Sequence, residues 1–124
     1  MFAEVKALLT YIEEDEEGYD GKIIQEIKAC ALDLTTSTEI VLPGVISIKR
    51  EKVPATQTVP EHWEITDRST VKDDLIIKTI AVWCNKEIGN PPNYDALQSA
   101  YESLKGQLRL SRKYTRYGGA AGCA

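Results

Sequence analysis

Histidine occurs once in this 124-residue chain, at His62, and cysteine three times, at Cys30, Cys84 and Cys123, with no Cys-x-x-Cys pair. Ligands so scattered do not make a Cys/His zinc site, and no metal is expected. The odd cysteine count, at spacings that suggest no disulfide framework, and the lack of a basic-then-apolar leader after Met1 point to synthesis in a reducing cytosol. Long apolar runs are missing too. The most apolar stretch, Leu75 to Cys84, is interrupted by Lys78 and falls far short of a bilayer's thickness, so no membrane span is expected. The glycines form no Gly-x-Gly-x-x-Gly series and no Gly-Lys-Ser/Thr follows a strand, so no nucleotide cofactor is expected. Positive charge is in deficit as well. With 19 acidic against 15 basic side chains the formal charge is -4, which argues against bulk electrostatic capture of nucleic acid.

What remains is 43% apolar and 27% charged, the composition of one globular domain that can bury a core without disulfides. Its charge is polarised along the chain. Residues 1–20 hold seven carboxylates (Glu4, Glu13, Glu14, Asp15, Glu16, Glu17, Asp20) against Lys6 alone. From Tyr101 onward the only acid is Glu102, against Lys105, Arg109, Arg112, Lys113 and Arg116. The two ends are therefore complementary in sign.

Apolar spacing predicts a mainly α fold, a small bundle of about four helices. Phe2, Val5, Leu8, Leu9 and Ile12 recur at three- and four-residue steps and predict a first helix over 2–12, ending in the acidic loop Glu13 to Gly18. Ile23, Ile24, Ile27, Ala31 and Leu34 restart the period, with Asp20 as N-cap, for a second helix over 20–34 that the Thr35-Thr36-Ser37-Thr38 run should end. Pro43-Gly44 marks a turn. Between Val45 and Thr66 the period shortens to two and Pro54 and Pro60 interrupt it, so a loose β-hairpin or long excursion, protruding over 45–69, is expected between helices two and three. Thr70 to Asp73 has capping-box spacing and should start a third helix over 71–88, the most buried of the four. Gly89 is placed as its left-handed cap, and Asn90-Pro91-Pro92-Asn93 leads to a fourth helix over 93–109 carrying Tyr94, Leu97, Tyr101, Leu104 and Leu108 on one face. The expected core includes Leu8, Ile27, Ile76, Ile80, Trp83, Leu97, Tyr101 and Leu104. Residues 1–110 thus read as one helical domain, and 111–124 as an arm and small-residue tail that bury little.

Catalytic constellations find little support. The carboxylates lie in an exposed run or alternate with bases along helices, and the run 13–17 lacks the spaced oxygens and central glycine of a calcium loop. Cys84 could act as a nucleophile only with His62 as partner; on the apolar face of the third helix it is more simply a small core residue, and His62 a loop residue. No catalytic residue is assigned, and the protein is expected not to be an enzyme. One segment is chemically distinctive: Arg109, Leu110, Ser111, Arg112, Lys113, Tyr114, Thr115, Arg116 and Tyr117 alternate guanidinium groups with phenol rings. It suits phosphates, stacked bases or an acidic protein groove. Equally, it suits a frayed helix end whose bases complement the macrodipole.

The run from Asp74 to Thr115 carries a resemblance. Asp74 through Trp83, the Gly89-Asn90-Pro91 turn, Ala100-Tyr101-Glu102-Ser103-Leu104-Lys105 and Leu108 to Ser111 resemble, in order and spacing, the tailed-phage head-tail connector (adaptor) family. Gln107-Leu108-Arg109 is similar to the signature of phage proteins classed as DNA-packaging factors, with Leu110 where that signature has glycine. Glu4-Val5-Lys6, Leu9, the acidic loop and Ile23 to Leu34 are similar to the family's first two helices. The resemblance implies a non-enzymatic virion component of the phage neck, made in the bacterial host cytoplasm. It implies a ring, of about twelve subunits, that joins the portal to the stopper or tail-completion protein and lets DNA pass without sequence specificity. It further implies that Arg109, Leu110, Arg112, Lys113, Tyr114, Arg116 and Tyr117 dock on the portal and order on binding, and that Lys49, Arg50, Lys52, Glu14 and Glu16 face a neighbouring subunit or the DNA channel. The alternative is a small nucleic-acid-binding protein acting through the basic-aromatic segment.

Overall fold

A computed structural model describes residues 1–9, 19–37, 40–88, 92–111 and 114. Its elements are α1 (Phe2–Ala7), α2 (Asp20–Ser37), β1 (Ile48–Val53), β2 (His62–Asp67), α3 (Asp74–Glu87) and α4 (Tyr94–Leu110). The protein is mainly α, with four helices and one two-stranded antiparallel sheet.

Each element departs from its sequence pattern for a definable reason. The first helix ends at Ala7, not Ile12: the N–H groups of Leu8 and Leu9 bond to the carbonyls of Val5 and Lys6 at 3.0 and 3.2 Å, tightening the last turn to three residues. The Leu8 carbonyl then accepts from Asn85 Nδ2 at 3.1 Å, which fixes the exit of the chain on α3. That tightening turns Leu8 out of the expected core, leaving it 48% exposed, while Val5 is fully buried and Phe2 and Leu9 pack beside it. The second helix runs past Leu34 to Ser37. Instead of breaking it, Thr35 and Thr36 donate back to the Ala31 and Leu32 carbonyls at 2.9 and 2.6 Å.

The hairpin pattern resolves into β1 and β2 in the register Ile48↔Asp67, Arg50↔Ile65, Lys52↔Trp63, Val53↔His62. His62 is thus the first residue of a strand, not a loop residue. Ile48 is buried and Ile65 packs on the core, so one face of the sheet rests on the helices at its base. Beyond the strands, Arg68 N–H bonds to Ser47 O and Thr70 N–H to Val45 O, both at 2.8 Å, and Thr70 Oγ1 accepts from Val45 N–H at 2.9 Å. Thr70 is therefore occupied, and the cap of α3 falls to Asp73, whose carboxylate accepts from Leu75 and Ile76 N–H at 3.0 and 3.4 Å. Gly44 closes the preceding turn at φ 152°, where a Cβ would stand 2.7 Å from Thr70 Oγ1.

α3 is the centre of the bundle. It packs on α1, α2 and α4, and seven of its 14 residues are buried. Ile76, Ile80 and Cys84 meet Ile23, Ile27, Cys30 and Leu34 of α2 in one core cluster. Burial on α4 begins at Tyr101 and continues at Leu104, Lys105 and Leu108. Leu97, expected in the core, is half-buried outside the cluster, and Tyr94 is exposed, because burial of α4 starts about two turns later than the apolar stripe does. Trp83 is also half-buried, at the edge of the core. Tyr114, expected in a free arm, is 5% exposed within the core, and its carbonyl accepts the Val41 N–H at 2.6 Å. The C-terminal segment therefore does contribute to the core. Ile12, the acidic run 13–17 and Gly89 lie outside the described residues.

Candidate assembly surfaces

A buried polar seam lies among the helices, and two kinds of surface are exposed. The seam lies where α2, α3 and α4 meet. Tyr101 Oη donates to Asp33 Oδ2 at 2.6 Å, and Lys105 Nζ donates to the same oxygen at 3.1 Å. Cys30 Sγ donates to Tyr101 Oη at 3.8 Å. Burial pushes the Cys30 thiol up to about 12 and raises Cys84 and Tyr101 as well, so neither thiol is a ready nucleophile at neutral pH. Next to the seam, the buried Lys86 ammonium sits 3.9 Å from the ring of Trp83, 5.4 Å from Tyr101 and 5.7 Å from Tyr94, and is ion-paired with Glu87. Trp83 meets Tyr101 edge-on at 5.1 Å and donates to Glu26 Oε1 at 3.4 Å. Such satisfied groups hold helices in register.

The sheet forms the first exposed surface. Side chains opposite each other across an antiparallel pair share a face, so Arg50, Lys52, Trp63 and Ile65 lie on one side and Lys49, Glu51, Glu64 and Thr66 on the other. Glu51 and Glu64 stand directly opposite. Each is relieved by a neighbour on its own strand, Lys49 at 3.0 Å and His62 at 3.0 Å. The Pro60 carbonyl and Glu64 raise the pKa of His62, so its ring is committed to the hairpin and not to Cys84. On the other side Lys52 pairs with Glu61 at 3.1 Å, and Arg50 stacks 4.3 Å from the centre of the Trp63 ring. Trp63 is 48% exposed.

The second kind is exposed apolar surface, at two places. Leu110, at the end of α4, is 88% exposed, next to the exposed Arg109. On α2, a shallow groove of about 310 Å³ is lined by Lys28, Ala31, Leu32, Thr35, Leu42 and Ile46, with Leu32 62% exposed.

Of the residues expected to meet partners, the structure places Lys49, Arg50 and Lys52 together on β1, and Arg109 and Leu110 at the open end of α4. It does not bring Tyr114 to the surface. Glu14, Glu16, Arg112, Lys113, Arg116 and Tyr117 lie outside the described residues. Trp63 and the α2 groove were not singled out as surface features by the sequence reasoning. The alternation of Trp63 and Ile65 about Glu64 was the available signal for the first; the second joins a helix to the irregular segment that follows it and has none. Among the described residues no helix is long and apolar enough to cross a membrane.

A family model described as "Phage connector protein" matches residues 1–115. No curated protein and no solved structure matches the chain.

Proposed function

The chain belongs to the phage connector protein family, and from that membership we propose that it is a structural, non-enzymatic component of the virion neck, whose copies form a ring joining the portal to the stopper or tail and lining the passage for DNA. The observation that carries this reading is the match over residues 1–115, which takes in every helix and the sheet. Two features support it. A ring needs different faces of one chain to meet, and this chain has a polarised charge and separate apolar and basic-aromatic surfaces. Leu110 and Arg109 are exposed at the end of α4, so docking on the portal would fall to them and to Arg112, Lys113, Arg116 and Tyr117, with Tyr114 anchoring the segment to the core.

The test is the mass of the purified protein by light scattering, alone and mixed with isolated portal particles. Ring-sized assemblies or co-migration with the portal are expected. A monomer indifferent to the portal, and binding DNA in a salt-dependent way, would replace this reading with the nucleic-acid alternative.

A further inference from the structure

The guanidinium of Arg50 is held in place without an ion pair to any described residue. Its Cζ is 4.3 Å from the centre of the Trp63 ring, and its Nη1 is 2.9 Å from where a Cβ on Gly21 would stand. Its Nε is shielded from water and has no hydrogen-bond partner. Among the described residues, carboxylates of the sheet and of the start of α2 have other partners: Glu51 pairs with Lys49, Glu61 with Lys52, Asp20 with Lys6 at 2.7 Å, and Asp67 accepts from Phe2 N–H at 2.7 Å. Among the described residues Arg50 makes no ion pair. Beneath it begins α2, 18 residues long, whose first turn adds partial positive charge. Lys52 Nζ, 5.8 Å from the same ring, widens the positive field.

An arginine fixed on a half-exposed tryptophan has little side-chain freedom left to lose and presents a held positive charge to a carboxylate. Arginine and tryptophan are also the residues in which interface binding energy concentrates. The chain itself supplies the complementary group in quantity, as five consecutive carboxylates from Glu13 to Glu17. We propose that the face of the sheet carrying Arg50 and Trp63 anchors one copy of this chain to a second, by gripping a carboxylate of the second copy's run Glu13 to Glu17. The inference rests on the reading that copies assemble, and it names the contact.

The experiment measures self-association over a range of concentrations by sedimentation velocity, for the wild type, Arg50→Glu, Trp63→Ala, and a variant in which Glu13, Glu14, Glu16 and Glu17 are replaced by lysine. Each single-surface variant is expected to raise the concentration for half-assembly at least about tenfold, and an equimolar mixture of Arg50→Glu with the lysine variant to recover assembly. Circular dichroism confirms that each variant is folded, and Arg50→Gln replaces Arg50→Glu if that one is not. Unchanged assembly of the variants overturns the anchor and leaves the connector reading standing. A wild type that stays monomeric, alone and with the portal, overturns both. Loss of DNA binding by Arg50→Glu with assembly intact would show that the anchor takes phosphate, and would overturn the proposal.

Discussion

Asp67 ends β2 with more hydrogen bonds than its exposure suggests. It accepts the Phe2 N–H at 2.7 Å and the Met1 ammonium at 3.0 Å on Oδ2, and the Ser69 N–H at 3.0 Å on Oδ1. Partial burial alone would raise its pKa, but the Phe2 and Ser69 donors and the ammonium together hold it well below the usual carboxylate range. A carboxylate depressed in the folded state contributes stability that is present above the unfolded value, about 4, and is lost as pH falls toward the folded one. The expected outcome is that Asp67→Asn lowers the urea midpoint at pH 6, and that the gap to the wild type narrows steadily below about pH 4. Parallel midpoint curves for the two proteins would remove Asp67 from the account. The seam shows the same residue-scale logic in the interior, where Asp33 accepts from both Tyr101 and Lys105, so that a buried lysine and a buried phenol share one acceptor.

At the scale of the element, α4 holds a glycine its own fold does not require. Gly106 lies inside the helix, where a Cβ would meet nothing within 4 Å. Alanine there reduces the backbone freedom of the unfolded chain without a clash, so Gly106→Ala is expected to stabilise the isolated protein by about 0.5–1 kcal/mol, read as a raised thermal midpoint. A lowered midpoint would mean that α4 is packed differently from the arrangement described. The helix ends teach a related lesson. α3 is started by Asp73 and not by Thr70, and α2 continues through Thr35 and Thr36, because in each case the hydroxyl found a different bond from the one local preference assigned to it.

For the whole molecule, the boundary between body and arm lies further along the chain than residue 110. Tyr114 fills part of the core and ties Val41 to the C-terminal segment. Truncation after Ser111 is therefore expected to cost about 3 kcal/mol, as large aromatic truncations in cores do, and to lower the denaturation midpoint whether or not portal binding is measured. An unchanged midpoint would return Tyr114 to the arm. The sequence by itself determined the four helices, the position of the hairpin between the second and third, the Pro43-Gly44 turn, the core residues Ile27, Ile76, Ile80, Tyr101 and Leu104, and the family resemblance that the match over 1–115 bears out. These depend on apolar period and turn chemistry, which are local. Only the tertiary structure decided that Leu8 turns outward, that Leu97 and Trp83 stop at the edge of the core, that Tyr114 enters it and that Arg50 rests between Trp63 and Gly21. Each of those outcomes is set by groups distant in the chain, as when Asn85 takes the carbonyl of Leu8 from 77 residues away. No local pattern encodes such a contact, because its free energy exists only once both segments have been brought together.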